Sequence, residues 1–268
     1  MSAVDQVFAE LRASNRKAFI PFITAGDPDL EFTADVIKEL ASCGSSICEV
    51  GIPYSDPIAD GPVIQASYTR ALQNQIKLQD IFGTLTQVSG AVKTPLVTMT
   101  SYAIIHRHGL QQYVEDAQAA GIAGAIVPDL LVDESAEFAD ICERADFSLI
   151  QLVTPTTPRE RAIRIANTST GFLYYVSVTG ITGERTSLPA ELLDNVAWLR
   201  EQTPLPICIG FGISQPEHVT RLSAVADGVI VGSAFVRRLA DLETKSRADV
   251  VRDIGDHAKR LITALNPS

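Results

Sequence analysis

No window of the 268 residues approaches the apolar run of about twenty that a membrane-spanning helix needs, so insertion into a bilayer is not expected. Positive charge is also scarce. Against 32 Asp and Glu stand 22 Lys and Arg, for a net charge of −10, and the basic residues are scattered rather than gathered into runs. A nucleic-acid partner calls for a basic footprint, and this sequence offers none. Cysteine is limited to Cys43, Cys48, Cys142 and Cys208, far apart and without a Cys-x-x-Cys, so they read as buried free thiols in a reducing compartment. The N-terminus has no apolar signal-peptide core and carries Asp5 and Glu10, which argues against a secretory or organellar leader. The expected site of action is the cytoplasm.

What remains is a composition, 46% hydrophobic and 20% charged, that suits a soluble globular chain with a sizeable core. Val4, Val7, Phe8 and Leu11 fall at helical spacing and predict an amphipathic helix over 3–13. Eight short apolar runs follow, over 18–24, 47–52, 95–100, 125–129, 148–153, 172–177, 206–210 and 228–232. Helical sequence lies between them, with Thr157-Pro158 read as a cap followed by Pro at the first helical position, and a last helix is expected over 247–265. Eight strand-helix units at a spacing of roughly 25 to 35 residues match a (β/α)8 barrel, here a single domain over 1–268 with an extra N-terminal helix. The doubly wound open sheet competes, but no Gly-x-Gly-x-x-Gly follows the first strand and no linker marks a boundary.

In a barrel the active cavity lies at the C-terminal strand ends. The stretch from Cys48 to Pro62 places Glu49 inside an apolar strand, and Asp56 and Asp60 on a loop stiffened by Pro53, Pro57 and Pro62. A carboxylate in a strand buried on both faces must be paired, hydrogen-bonded or shifted in pKa. Facing a second carboxylate across one cavity, it suits acid-base chemistry. Asp56 alone reads as turn chemistry.

Gly210-Phe211-Gly212-Ile213-Ser214 and Val231-Gly232-Ser233-Ala234 follow strands seven and eight, where barrels frequently bind phosphate and where glycine lets backbone N–H groups approach closely. Val178 to Arg185, polar and punctuated by glycine, reads as a lid. His106 and His108 lack a third ligand and read as solvated loop residues, so no metal site is expected; nothing near His218 or His257 suggests a nucleophile and its base.

Residues 21–28, the run Glu49 to Gln65, Gly180-Ile181-Thr182-Gly183, Gly210 to Ser214 and Gly232-Ser233-Ala234 closely resemble the tryptophan synthase α chain family, from end to end of the chain. The resemblance implies reversible aldol-type cleavage of indole-3-glycerol phosphate to indole and glyceraldehyde 3-phosphate, with no cofactor in this chain. Glu49 would be the acid-base group for indole C3 and the glycerol hydroxyl. Asp60 would accept the indole N–H. Phe22 and Tyr174 would line the pocket, Thr182 would close on Asp60, and Gly183, Gly212, Gly232 and Ser233 would hold the phosphate through backbone and hydroxyl donors, without Arg or Lys. The implied partner is a tryptophan synthase β chain carrying its own pyridoxal phosphate, in an α2β2 heterotetramer. A stand-alone lyase releasing free indole, and a non-catalytic barrel for a phosphorylated ligand, are the alternatives. The sequence departs from the family's pattern at Ser101, Ala103 and Ile104 after strand three, and at Leu131 after strand four, in loops that belong to the family's pocket rim and subunit interface.

Overall fold

Short apolar runs bounded by turn residues have one way to bury both of their faces, which is to pair in parallel beneath a layer of helices. A computed structural model describes residues 1–57, 60–177, 190–210 and 212–267, without the side chains of 190 and 191. Its strands are β1 (Ala18–Thr24), β2 (Cys48–Gly51), β3 (Leu96–Met99), β4 (Ile122–Ile126), β5 (Ser148–Ile150), β6 (Leu152–Val153), β7 (Leu173–Val176), β8 (Ile207–Gly210) and β9 (Gly228–Val231). They form one parallel sheet in the order β5-β4-β3-β2-β1-β9-β8-β7-β6. Only Gln151 separates β5 from β6, and its carbonyl accepts the Tyr174 N–H at 3.1 Å, so the two ends of the order meet and the sheet closes into a barrel.

The outer layer consists of α2 (Leu30–Ser42), α3 (Pro62–Gln73), α4 (Leu78–Ser89), α5 (Tyr102–His108), α6 (Leu110–Ala119), α7 (Ala136–Arg144), α8 (Arg159–Asn167), α9 (Ala190–Gln202), α10 (Pro216–Ser223), α11 (Ser233–Leu239) and α12 (Arg247–Leu265). Each turns an apolar stripe inward; α2 buries Phe32, Val36, Ile37 and Leu40, at about 1.5–3 kcal/mol per side chain. The extra helix α1 (Ala3–Ala13) is fixed by a capping box between Ser2 and Asp5. Ser2 Oγ meets Ser148 Oγ at 2.8 Å and the Phe8 ring lies 5.6 Å from Phe172, so α1 covers the N-terminal end of the barrel. The C-terminal mouth is left to the loops. No described helix is long and apolar enough to cross a membrane.

Three local expectations need correction. The fourth strand lies over Ile122–Ile126, earlier than 125–129, because Gly124 belongs inside it. A Cβ there would come within 2.6 Å of the Ser148 carbonyl oxygen on β5, so glycine permits the close pairing of the two strands. His106-Arg107-His108 is not a loop but the last turn of α5; His108 Nε2 lies 2.7 Å from an Asp116 carboxylate oxygen on α6. Pro158 is the cap of α8 rather than its first residue. Of the cysteines, Cys48, Cys142 and Cys208 are buried and Cys43 is half-buried; all four are free.

Candidate active site

The barrel register fixes the first pair of cavity residues. Phe22 on β1 stands opposite Glu49 on β2, which stands opposite Val97 on β3. Side chains alternate along each strand, so Glu49 projects inward, into a cavity of about 340 Å³ at the C-terminal mouth. Only 1% of Glu49 is exposed, and its Oε2 has no hydrogen-bond partner among the described residues. Burial, then the charge of Asp60, pushes the Glu49 carboxyl from 4.5 up to about 8.

Asp60 enters the same cavity from the loop between β2 and α3. The loop end is pinned by backbone and side-chain contacts: the Asp60 N–H donates to the Pro57 carbonyl at 3.1 Å, and Gln65 Nε2 donates to the Asp60 carbonyl at 2.8 Å. Gly61 then takes the N-cap of α3 and Pro62 its first position, where a missing N–H costs nothing. The helix itself is braced against the loop after β1. Buried Asp27 accepts Arg70 Nε at 2.9 Å and Nη2 at 2.6 Å, and also the Ser67 hydroxyl. Burial pushes the Asp60 carboxyl up to about 6. Asp60 therefore ionises before Glu49, and near neutral pH one cavity holds a carboxylate and a carboxylic acid side by side. Asp56 is exposed, accepts the Ser55 hydroxyl at 2.8 Å, and does not line the cavity.

Aromatic walls stand on glycines. A Cβ on Gly210 would lie 2.3 Å from the Tyr174 hydroxyl, and one on Gly51 would lie 2.5 Å from Phe22 Cζ. Only glycine leaves room for these rings, and both Phe22 and Tyr174 line the cavity. Gly212, Gly232 and Ser233 also line it. Gly212 adopts φ +73°, a left-handed conformation that other residues reach only with strain. Thr182 and Gly183, with the rest of the lid stretch from Val178 to Arg185, lie outside the described residues, as does Phe211.

The structure adds Arg237 and Arg238 to the expected set, since both line the same cavity. The Arg238 guanidinium donates to the Ala234 carbonyl, and neither arginine forms an ion pair with a described residue. The expectation named neither arginine among the cavity residues. A signal was present: helical side chains lean toward the N-terminus, so arginines four and five residues beyond Ser233 can reach back toward it. Behind them, burial and the charges of Arg238 and Arg260 push His257 down to about 4, leaving it neutral.

Fold and cavity together define a class: a closed parallel-barrel enzyme whose mouth holds two carboxylates of unequal acidity in a cavity also lined by glycines and two arginines. A family model for the tryptophan synthase alpha chain matches residues 8–263. The tryptophan synthase alpha chain of Rhodopirellula baltica is 56% identical over 264 residues, covering 96% of this chain and 95% of its own. Among solved structures, tryptophan synthase subunit alpha from Legionella pneumophila superposes with a TM-score of 0.91 at 31% identity, covering all of both chains. A chain of the tryptophan synthase complex from Pyrococcus furiosus gives 0.83 at 34% identity, over 92% of this chain and 98% of that one. The protein belongs to the tryptophan synthase α chain family, the lyase subunit that cleaves indole-3-glycerol phosphate in tryptophan biosynthesis.

Proposed function

We propose that Glu49 and Asp60 carry the cleavage, and the observation on which this rests is their unequal acidity within one cavity. Glu49, neutral at working pH, gives its proton to indole C3. A C3–H bond forms, the ring becomes an indolenine, and Asp60 accepts the indole N–H and stabilises the positive charge. The Glu49 carboxylate then takes the proton of the glycerol hydroxyl. As that carbonyl forms, the bond from C3 to the glycerol chain breaks, its electron pair returns to the ring, and indole and glyceraldehyde 3-phosphate leave. Glu49 ends protonated, ready for the next turnover.

Phe22 and Tyr174 would hold the indole ring between them. Gly212, Gly232 and Ser233, with Gly183, would bind the phosphate through backbone N–H groups and a hydroxyl, and Thr182 would close over Asp60. The whole chain acts as one catalytic domain without a cofactor of its own. The family works with a β chain, and the assembly proposed here is an α2β2 heterotetramer in the cytoplasm, with pyridoxal phosphate in the β chain. Exposed Leu131, 52% accessible, on the segment after β4, and exposed Ala103, in the first turn of α5, belong to the surface on which that partner would dock.

The test is indole release from indole-3-glycerol phosphate by the purified chain, with and without an added tryptophan synthase β chain. Slow release that rises strongly with the β chain is expected. Fast release without it would contradict the coupled subunit, and none under either condition would contradict the lyase.

A further inference from the structure

Tyr68 is a buried phenol packed behind the cavity residue Phe22. It lies on α3, eight residues beyond Asp60, and only 1% of it is exposed. Its ring packs on that of Tyr54 with centroids 5.5 Å apart. Its hydroxyl reaches the C-terminal end of β2, where a Cβ on Gly51 would lie 2.7 Å from the phenolic oxygen and 2.5 Å from Phe22 Cζ. The oxygen thus sits close to Phe22, whose ring lines the cavity, at the end of the strand that carries Glu49, with Gly51 two residues beyond it. Among the described residues it has no hydrogen-bond partner. A hydroxyl so deeply buried normally has one, and its absence marks a donor held for something else.

The surrounding groups narrow the choice. Burial, and then Asp60, Tyr54 and Glu49, push the Tyr68 phenol well above its ordinary value, so it remains a proton donor throughout the working range. Tyr54 and Tyr174 are phenols raised in the same way, while Arg70, two residues further along α3, is engaged with Asp27, and Arg237 and Arg238 line the cavity from α11. Asp60 is the carboxylate that acts on Tyr68 most strongly.

We propose that Tyr68 is a positioning residue for the cleavage: its hydroxyl donates to the Asp60 carboxylate in the substrate complex and holds it against the indole N–H. This rests on the roles given to Asp60 and Glu49 above. A hydrogen bond to the ionised form lowers an acid's pKa, so losing it moves the acid limb of the pH-rate profile upward.

The experiment compares wild type, Tyr68→Phe and Asp60→Asn in cleavage of indole-3-glycerol phosphate over a pH series, alongside thermal unfolding. For Tyr68→Phe the expected result is a fall in kcat on the order of tenfold, with KM changed by less than about twofold and the acid limb raised by about one pH unit. Its melting temperature should be unchanged or higher, because the phenyl ring keeps the packing and an unpartnered hydroxyl is removed. Wild-type kcat with an unmoved acid limb would overturn the proposal, as would a fall in activity that only follows a lower melting temperature. An inactive Asp60→Asn beside a fully active Tyr68→Phe would refute the Tyr68 role alone. An active Asp60→Asn would remove the reading beneath it.

Discussion

Replacing Glu49 by Gln separates catalysis from folding, because the two respond in opposite directions. The side chain is buried, its Oε2 has no hydrogen-bond partner among the described residues, and its carboxyl stands at about 8 against an ordinary 4.5. Between those values the unfolded chain is ionised at this position while the folded chain keeps the proton. The folded state then binds more protons, so wild-type stability falls as pH rises through that window. Glutamine does not titrate. From about pH 5 to about pH 7.5 the variant should gain on wild type by about 1.36 kcal/mol per pH unit, or about 3 kcal/mol in all. Against this stands a fixed cost of about 1–3 kcal/mol for an amide N–H2 buried where no acceptor is placed, independent of pH. Denaturant unfolding of both proteins at the two ends of the range measures the difference of differences. Turnover should fall by about 10² to 10⁴, the span attributable to a positioned acid-base group. Parallel stability curves would refute the buried-acid argument, and retained turnover would remove Glu49 from the mechanism.

The rate should be bell-shaped in pH, rising as Asp60 ionises near 6 and falling as Glu49 loses its proton near 8; a profile flat across that range in steady-state assays would contradict the pairing. Gly212→Ala must hold φ +73° with a Cβ, which costs about 1–2 kcal/mol, and should raise KM for the phosphorylated substrate more than it lowers kcat. Asp27→Asn leaves Arg70, 40% exposed, without its charge partner at the base of the Asp60 loop, and should cost about 2 kcal/mol in denaturant midpoint without a change in slope.

Much of the fold was legible because barrel strands are buried on both faces and so appear as apolar runs; 18–24 matches β1 residue for residue. The misplaced fourth strand shows the limit of that signal. Gly121 and Gly124 look alike in sequence, but one takes φ +75° before the strand and the other sits inside it where Ser148 crowds the backbone. Helix α5 was illegible for a related reason. Ser101 caps it locally, accepting the Ala103 N–H at 3.2 Å, while Asp129 from the β4 side accepts the Ser101 hydroxyl at 2.6 Å and the Tyr102 N–H at 2.7 Å. Ser101 is a local cap signal, but the support from Asp129, 28 residues away, leaves no local pattern. In the site, Glu49 announced itself as a charge in an apolar strand, whereas Tyr68 looked like any apolar residue on the inner face of a helix. Only the position of its hydroxyl against Gly51 gives it a chemical meaning.

The proposed chemistry requires two carboxyl groups in one cavity to hold different protonation states at the same pH. Carbon-13 NMR titration of the side-chain carboxyl carbons, assigned with Glu49→Gln and Asp60→Asn, reads this directly. Asp60 should titrate near 6 and Glu49 near 8, so that around pH 7 the first is ionised and the second is not. Both carboxyls titrating together in the ordinary range near 4 would contradict the acid-base assignment.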